Sequence, residues 1–149
     1  LRMKMRFRLL GLVVCVLFYL NTVTAQRRPK DKILDRKVFL VTMEHQSDRK
    51  KTLEPFEEEL SFRSNRMTAK HMRMSDSGGF QTGEYAISNK EEVMDEIVYH
   101  FEAINKNAKG MSLKWEGKVF GGHIEGIAIV SKNGKPKQEF AFTGSIKVK

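Results

Sequence analysis

The sequence predicts an all-β fold, a single antiparallel, up-and-down β-barrel of about eight strands. Three observations carry that reading. From residue 37 onward the chain is a series of short segments rich in Val, Ile, Phe, Tyr and Met, broken by turn residues, with no long stretch of 3.6-residue periodicity. The connections Ser64-Asn65, Gly121-Gly122 and Asn133-Gly134 are short enough to reverse the chain in place, which favours antiparallel neighbours over crossovers. Finally, Gly117, Gly126 and Gly144 fall among apolar positions. Glycine weakens a strand unless the sheet must bend sharply, so inward glycines imply curvature, and a strongly curved sheet closes and loses its exposed edges.

Taken in order, the candidate strands are residues 37–44 ("KVFLVTME"), 57–63 ("EEELSFR"), 66–74 ("RMTAKHMRM"), 84–88, 93–104 ("VMDEIVYHFEAI"), 111–120 ("MSLKWEGKVF"), 123–131 and 138–148. Reversals are expected at "SN" 64–65, "SNKE" 88–91, "NKNAKG" 105–110, "GG" 121–122 and "NG" 133–134. Alternation is clearest in the last third. Leu113, Trp115, Gly117 and Val119 share one face against Lys114, Glu116 and Lys118, and Phe140, Phe142, Gly144, Ile146 and Val148 share another against Glu139, Thr143, Ser145 and Lys147. Residues 91–104 also satisfy a helical spacing through Val93, Ile97 and His100 or Phe101; the β-branched and aromatic content of "EIVYHF" favours a strand.

The first residues predict a destination. Arg2, Lys4, Arg6 and Arg8 precede an unbroken apolar run from Leu9 to Leu20. As a helix that run covers roughly 18 Å, short of a hydrocarbon core of about 30 Å. Val23 and Ala25 supply the small residues expected before a cut, so residues 1–25 read as a secretory signal peptide, residues 26–36 as a flexible lead-in and residues 37–149 as one barrel domain. Lipidation at Cys15 is disfavoured by the bulk of Val14 and by its place inside the apolar run. Cleavage after Ala25 would leave no cysteine, hence no disulfide and no thiolate chemistry, in a protein expected to be periplasmic or secreted.

Charge narrows the partners. Removing residues 1–25 takes away four cations and no acid, so Lys+Arg falls from 27 to 23 against 18 Asp+Glu and the net charge from +9 to +5. The remaining charges are interspersed, which describes a solvated surface rather than a nucleic-acid groove. No stable membrane span is expected after cleavage, and a monomer is expected.

The tail carries a resemblance. The string W-x-G-x-V-x-G-x-x-I-x-G at Trp115, Gly117, Val119, Gly121, Ile124 and Gly126, with F-x-F-x-G at Phe140, Phe142 and Gly144 after it, is similar to a group of small exported bacterial domains of uncharacterised function. "KVFLV" and "ELSFRSNRM" resemble the opening strands of the same group. The resemblance implies a lipocalin-like, or calycin, barrel. It rests on strand and turn residues, so it speaks to fold more than to activity.

Four sets of side chains are candidates for function. "TAKH" and "SDSGG" each resemble a fragment of the trypsin-type proteases, but His71, Asp76 and Ser77 fall within seven residues, whereas triad chemistry assembles nucleophile, base and acid from distant parts of a much larger scaffold. No nucleophile has a base at a readable spacing, so no enzyme, catalytic residue or cofactor is expected. Met43 with His45, and His71 with Met72 and Met74, offer soft ligands suited to Cu(I), but strand alternation would put His71 opposite both methionines. Glu57, Glu58 and Glu59 open a strand and read as a charged edge.

The fourth set is the inward face. Phe62, Met67, Tyr99, Phe101, Trp115, Phe140 and Phe142, with Leu60, Ile97 and Leu113, either fill the barrel or line a cavity for one small ligand. The loop "SDSGGFQTG", residues 75–83, would sit at the barrel mouth, with Ser77 and Phe80 placed to choose the ligand. The sequence thus points to a non-enzymatic exported barrel binding a small hydrophobic ligand or an envelope component. Its alternatives are an envelope structural or interaction protein with a filled barrel, and a periplasmic copper-binding protein.

Overall fold

The computed structural model describes residues 29–46 and 53–149. The expected signal peptide, residues 1–25, lies outside the described residues. The fold is all-β: eight antiparallel strands in an up-and-down, barrel-like closed ring. They are β1 (Val38–His45), β2 (Phe56–Arg63), β3 (Arg66–Ala69), β4 (Gly83–Val93), β5 (Glu96–Lys106), β6 (Met111–Phe120), β7 (His123–Lys132) and β8 (Lys135–Ile146). A four-residue helix, α1 (Lys70–Arg73), and a 3₁₀ turn, Ser75–Ser77, come after β3. No helix among the described residues is long and apolar enough to cross a membrane.

Each strand pairs with its sequence neighbour, and β1 pairs with β8, from Phe39↔Ile146 to His45↔Phe140. The reversals at Ser64-Asn65, Gly121-Gly122 and Asn133-Gly134 have positive φ at both residues, the backbone that matches strand twist. The inward row is buried on strand after strand: Phe39, Val41 and Met43; Leu60 and Phe62; Met67 and Ala69; Phe101 and Ala103; Leu113 and Trp115; Phe140 and Phe142. At the crossing of β5, β6, β7 and β8, glycine faces an aromatic ring. A Cβ on Gly117 would come within 2.6 Å of the Phe101 ring, and one on Gly126 within 2.9 Å of the Phe142 ring. Each glycine is the cross-strand partner of the ring that fills its space, which lets large aromatics enter a narrow interior.

Three expectations are corrected. Residues 66–74 are not one strand: β3 ends at Ala69 and the chain turns into α1. The buried carboxylate of Glu58 draws the backbone there, accepting the N–H groups of His71 at 2.7 Å and Met72 at 2.9 Å. "SNKE" is not a reversal: β4 continues to Val93, with a bulge between Ile87 and Asn89, and the turn lies at Met94-Asp95. The β4–β5 hairpin therefore runs past the ring as an arm, leaving Ile97 exposed and Tyr99 half-buried with Lys90 Nζ 6.0 Å from its ring centre. Finally, β8 ends at Ile146, leaving Val148 87% exposed.

The β3–β4 seam is short, pairing only Arg66↔Glu84 and Met67↔Gly83. Side chains continue it where the ladder stops. Buried Asn105 donates from Nδ2 to the carbonyls of Met67 (3.0 Å) and Gln81 (2.9 Å), while its Oδ1 accepts the Trp115 indole N–H at 2.8 Å. Thr68 and Thr82 hydroxyls meet at 2.7 Å beside it. Under the opposite side of this seam, Asp31 accepts the N–H groups of Ile33 (2.9 Å) and Leu34 (2.6 Å) and the Tyr85 hydroxyl (2.9 Å). These bonds fix Leu34, fully buried, against the core.

Both networks can be tested by substitution. Asn105→Ala strands a buried indole N–H and two carbonyls, and chemical denaturation is expected to show a loss of about 3 kcal/mol. Burial first, then the hydrogen bond to Asp31, push the Tyr85 hydroxyl well above its ordinary 10.0. A group raised on folding contributes stability that is present below the unfolded value and lost as pH climbs above it. Stability should therefore fall above about pH 10, and Tyr85→Phe should flatten that decline in alkaline melts relative to the parent.

Candidate functional site

The centre of the ring is packed. Phe62 meets Phe39, Tyr85 and Phe101 edge-on, with ring centres 5.9, 4.9 and 5.6 Å apart. Phe142 meets Trp115 at 5.3 Å and Phe101 at 6.5 Å. Offset and edge-to-face packing of this kind fills space at the density of a core. Of the expected interior residues, Phe62, Met67, Phe101, Trp115, Phe140 and Phe142 are buried in one cluster, and Tyr99 stands outside it.

At one end of the ring a cleft of about 340 Å³ opens beside the 75–83 loop. It brings together Ser77, Phe80 and Phe140, expected as ligand-binding residues, with His45, His71, Met72 and Asp76, considered in the sequence for other chemistry, and Phe56. Its wall is a chain of rings: His45 lies 4.4 Å from Phe140, Phe140 lies 5.7 Å from Phe56, and Phe56 lies 4.8 Å from His71. The site forms here because β1 and β8 pair His45 with Phe140, because β2 begins at Phe56, and because α1 turns His71 back over that strand.

Glu58 builds this end of the molecule. It shares the inward register of Leu60 and Phe62 and is 2% exposed. Besides the N–H groups of His71 and Met72 it accepts its neighbour Glu59's N–H at 2.8 Å. A helix of a single turn leaves its first N–H groups without intrahelical partners, and the carboxylate satisfies two of them. The expected charged edge is therefore divided: Glu57 is exposed, Glu59 pairs with Lys147 at 3.0 Å, and Glu58 is an internal clamp. Its inward register between apolar neighbours was the signal in the sequence.

Polar side chains in the cleft are His45, His71, Asp76, Ser77 and Gln138. Ser77 Oγ lies 3.1 Å from His71 Nε2, so the two fragments that resemble a protease do meet. Asp76 lines the same cleft, but among the described residues no hydrogen bond joins it to His71. The backbone N–H groups of Ser77, Gly78 and Gly79 are spent on Met74 and Ser75 carbonyls, which removes them as oxyanion donors. Of the soft-ligand candidates, His45, His71 and Met72 line the cleft, whereas Met43 is buried in the core and Met74 is 52% exposed. Among the described residues no three His, Cys, Asp or Glu side chains are grouped to hold a metal. His45 and Phe56 could not be singled out as a pair from the sequence, because the ring of strands, not the spacing, joins them.

Replacing Glu58 with Ala leaves the N–H groups of His71 and Met72 unpaired. The expected result is a loss of about 2 to 4 kcal/mol in denaturation, together with faster amide exchange at those two positions than at β6 and β7.

No protein-family model, no curated protein and no solved structure matches this chain, so its fold and cleft are argued from its own residues.

Proposed function

We propose that this is an exported, non-enzymatic binding protein of lipocalin-like design that takes a small amphipathic ligand at the mouth of its ring rather than inside it. The observation that carries the proposal is the mouth cleft, where the rings of Phe56, Phe80 and Phe140 meet the polar side chains of His45, His71, Asp76, Ser77 and Gln138. Its volume of about 340 Å³ lies at the small end of the range for ligand sites, roughly 300 to 1,000 Å³. In this reading His45, Phe56 and Phe140 supply flat contact area, Met72 and Phe80 close the base, and Ser77 with His71 orients a polar end. Export rests on the cation-then-apolar pattern of residues 1–25. In this reading the ligand is one of the molecules met in the envelope or outside the cell.

The packed centre favours a second reading, an envelope structural or interaction protein with no ligand. One titration separates the two. The fluorescent amphiphile N-phenyl-1-naphthylamine should bind the protein, and His45→Ala with Phe56→Ala should weaken it at least about tenfold, a loss of some 1.4 kcal/mol. Tyr99→Ala, on the arm, should leave it unchanged. Absence of binding, or equal weakening by all the variants, would remove the mouth-site reading and leave the filled-ring one.

A further inference from the structure

A second and larger cleft, about 620 Å³, lies on the outer wall, across the sheet from the mouth. Its geometry comes from strand register. One outward cross-strand row runs Glu102, Glu116, Ile127, Ala141, Glu44 from β5 to β1. The adjacent row carries Lys118 and Glu125, paired at 3.1 Å. Lys118 first, then His123, hold the Glu125 carboxyl below its ordinary 4.5. Between the rows lie Gly117 and Gly126, which add no side chain to the floor.

The charges in this cleft are unevenly matched. Glu116 is paired with Lys114 and Glu125 with Lys118. Glu44 and Glu102, at the two ends of the first row, have no ion-pair partner among the described residues, although both line the cleft. Ile127 and Ala141 lie between them, an apolar strip of the kind along which a lysine stem lies while its ammonium reaches a carboxylate.

The complementary feature is on the same molecule. The β7–β8 hairpin carries Lys132, Lys135 and Lys137 around the Asn133-Gly134 turn, all exposed and with no acid among residues 131–137. None of these three lysines is in an ion pair among the described residues, whereas Lys114, Lys118 and Lys147 are. The hairpin cannot enter the cleft of its own chain. Lys132 stands about six residues beyond Gly126 on β7, roughly 20 Å along a continuous strand.

We propose that the outer cleft seats the lysine-bearing β7–β8 hairpin of a second copy of this chain. Cleft and hairpin are different surfaces, so the contact is heterologous and repeats from copy to copy unless the rotation closes a small ring. The net positive charge of each copy opposes approach, so the local match must act at short range, within about a Debye length of 8 to 10 Å.

The test is sedimentation velocity with two charge-reversed proteins. Lys132→Glu/Lys135→Glu/Lys137→Glu reverses the hairpin, and Glu44→Lys/Glu102→Lys reverses the cleft; all five are exposed positions. The parent should associate in a concentration-dependent way and dissociate at about 0.5 M salt, where screening is short-ranged. Each reversed protein alone should associate at least about tenfold more weakly. Mixed in equal amounts, the two should associate again, because each cleft then meets a hairpin of opposite charge. A parent that stays monomeric at low and moderate salt, association that survives both reversals, or a monomer whose cleft takes up a polylysine probe would each overturn the proposal.

Discussion

The ring depends on how its weakest join is made. Seven of the eight interfaces between neighbouring strands are ladders of at least four paired residues, while β3 and β4 share only two. An open sheet would expose unpaired edges there, and this protein meets the hazard with side chains rather than with backbone. Asn105 spans the gap from β5, and Glu58 from β2 collects the chain as it leaves β3. Both are buried polar groups whose hydrogen-bonding capacity is used. The two residues work at consecutive steps: one holds the last paired residues of β3 against β4, the other turns residues 70–74 into the floor of the mouth.

That division of labour places the cleft. Had β3 continued as a strand, the register of Leu60↔Ala69 would have set His71 opposite Glu58, and residues 70–74 would have extended the wall instead of crossing its end. By ending β3 at Ala69, the Glu58 carboxylate folds α1 across the end of the ring and brings His71, Met72 and Ser77 over the rings of β1, β2 and β8. The polar clamp thus determines an apolar site. The aromatic packing beneath it, from Phe39 through Phe62 and Phe101 to Phe142 and Trp115, supplies the rigid base on which such an exposed end depends.

Much of this was legible in the chain. Strand identity, order and the inward row from Leu113 to Phe142 come from period-two alternation, and three of the reversals from residues that tolerate positive φ. The features that escaped share a physical cause. The break in β3 depends on a carboxylate more than ten residues upstream, which no local pattern encodes. The "SNKE" segment has turn composition but is held extended by pairing from Asn89↔His100 to Val93↔Glu96, a tertiary override of local preference. Ile97 has inward register but lies beyond the last β5–β6 pair, Tyr99↔Val119, where an inward face has nothing to cover it, and Tyr99 at that margin is half-buried. Of the mouth site, the loop residues Ser77 and Phe80 were visible as an irregular segment rich in glycine. His45 was visible only as a candidate metal ligand and Phe56 was not, because only ring closure makes the two neighbours.

Because the last strand, β8, is also the partner of the first, β1, the cylinder has no completed state until the C-terminal segment has arrived. Every earlier intermediate during synthesis carries two raw margins, one on β1 and one on β7, each backed by greasy side chains. A chain of this topology therefore needs shelter for nearly its whole length of emergence, and a break shortly before Phe140 would leave an adhesive half-shell rather than a smaller stable body.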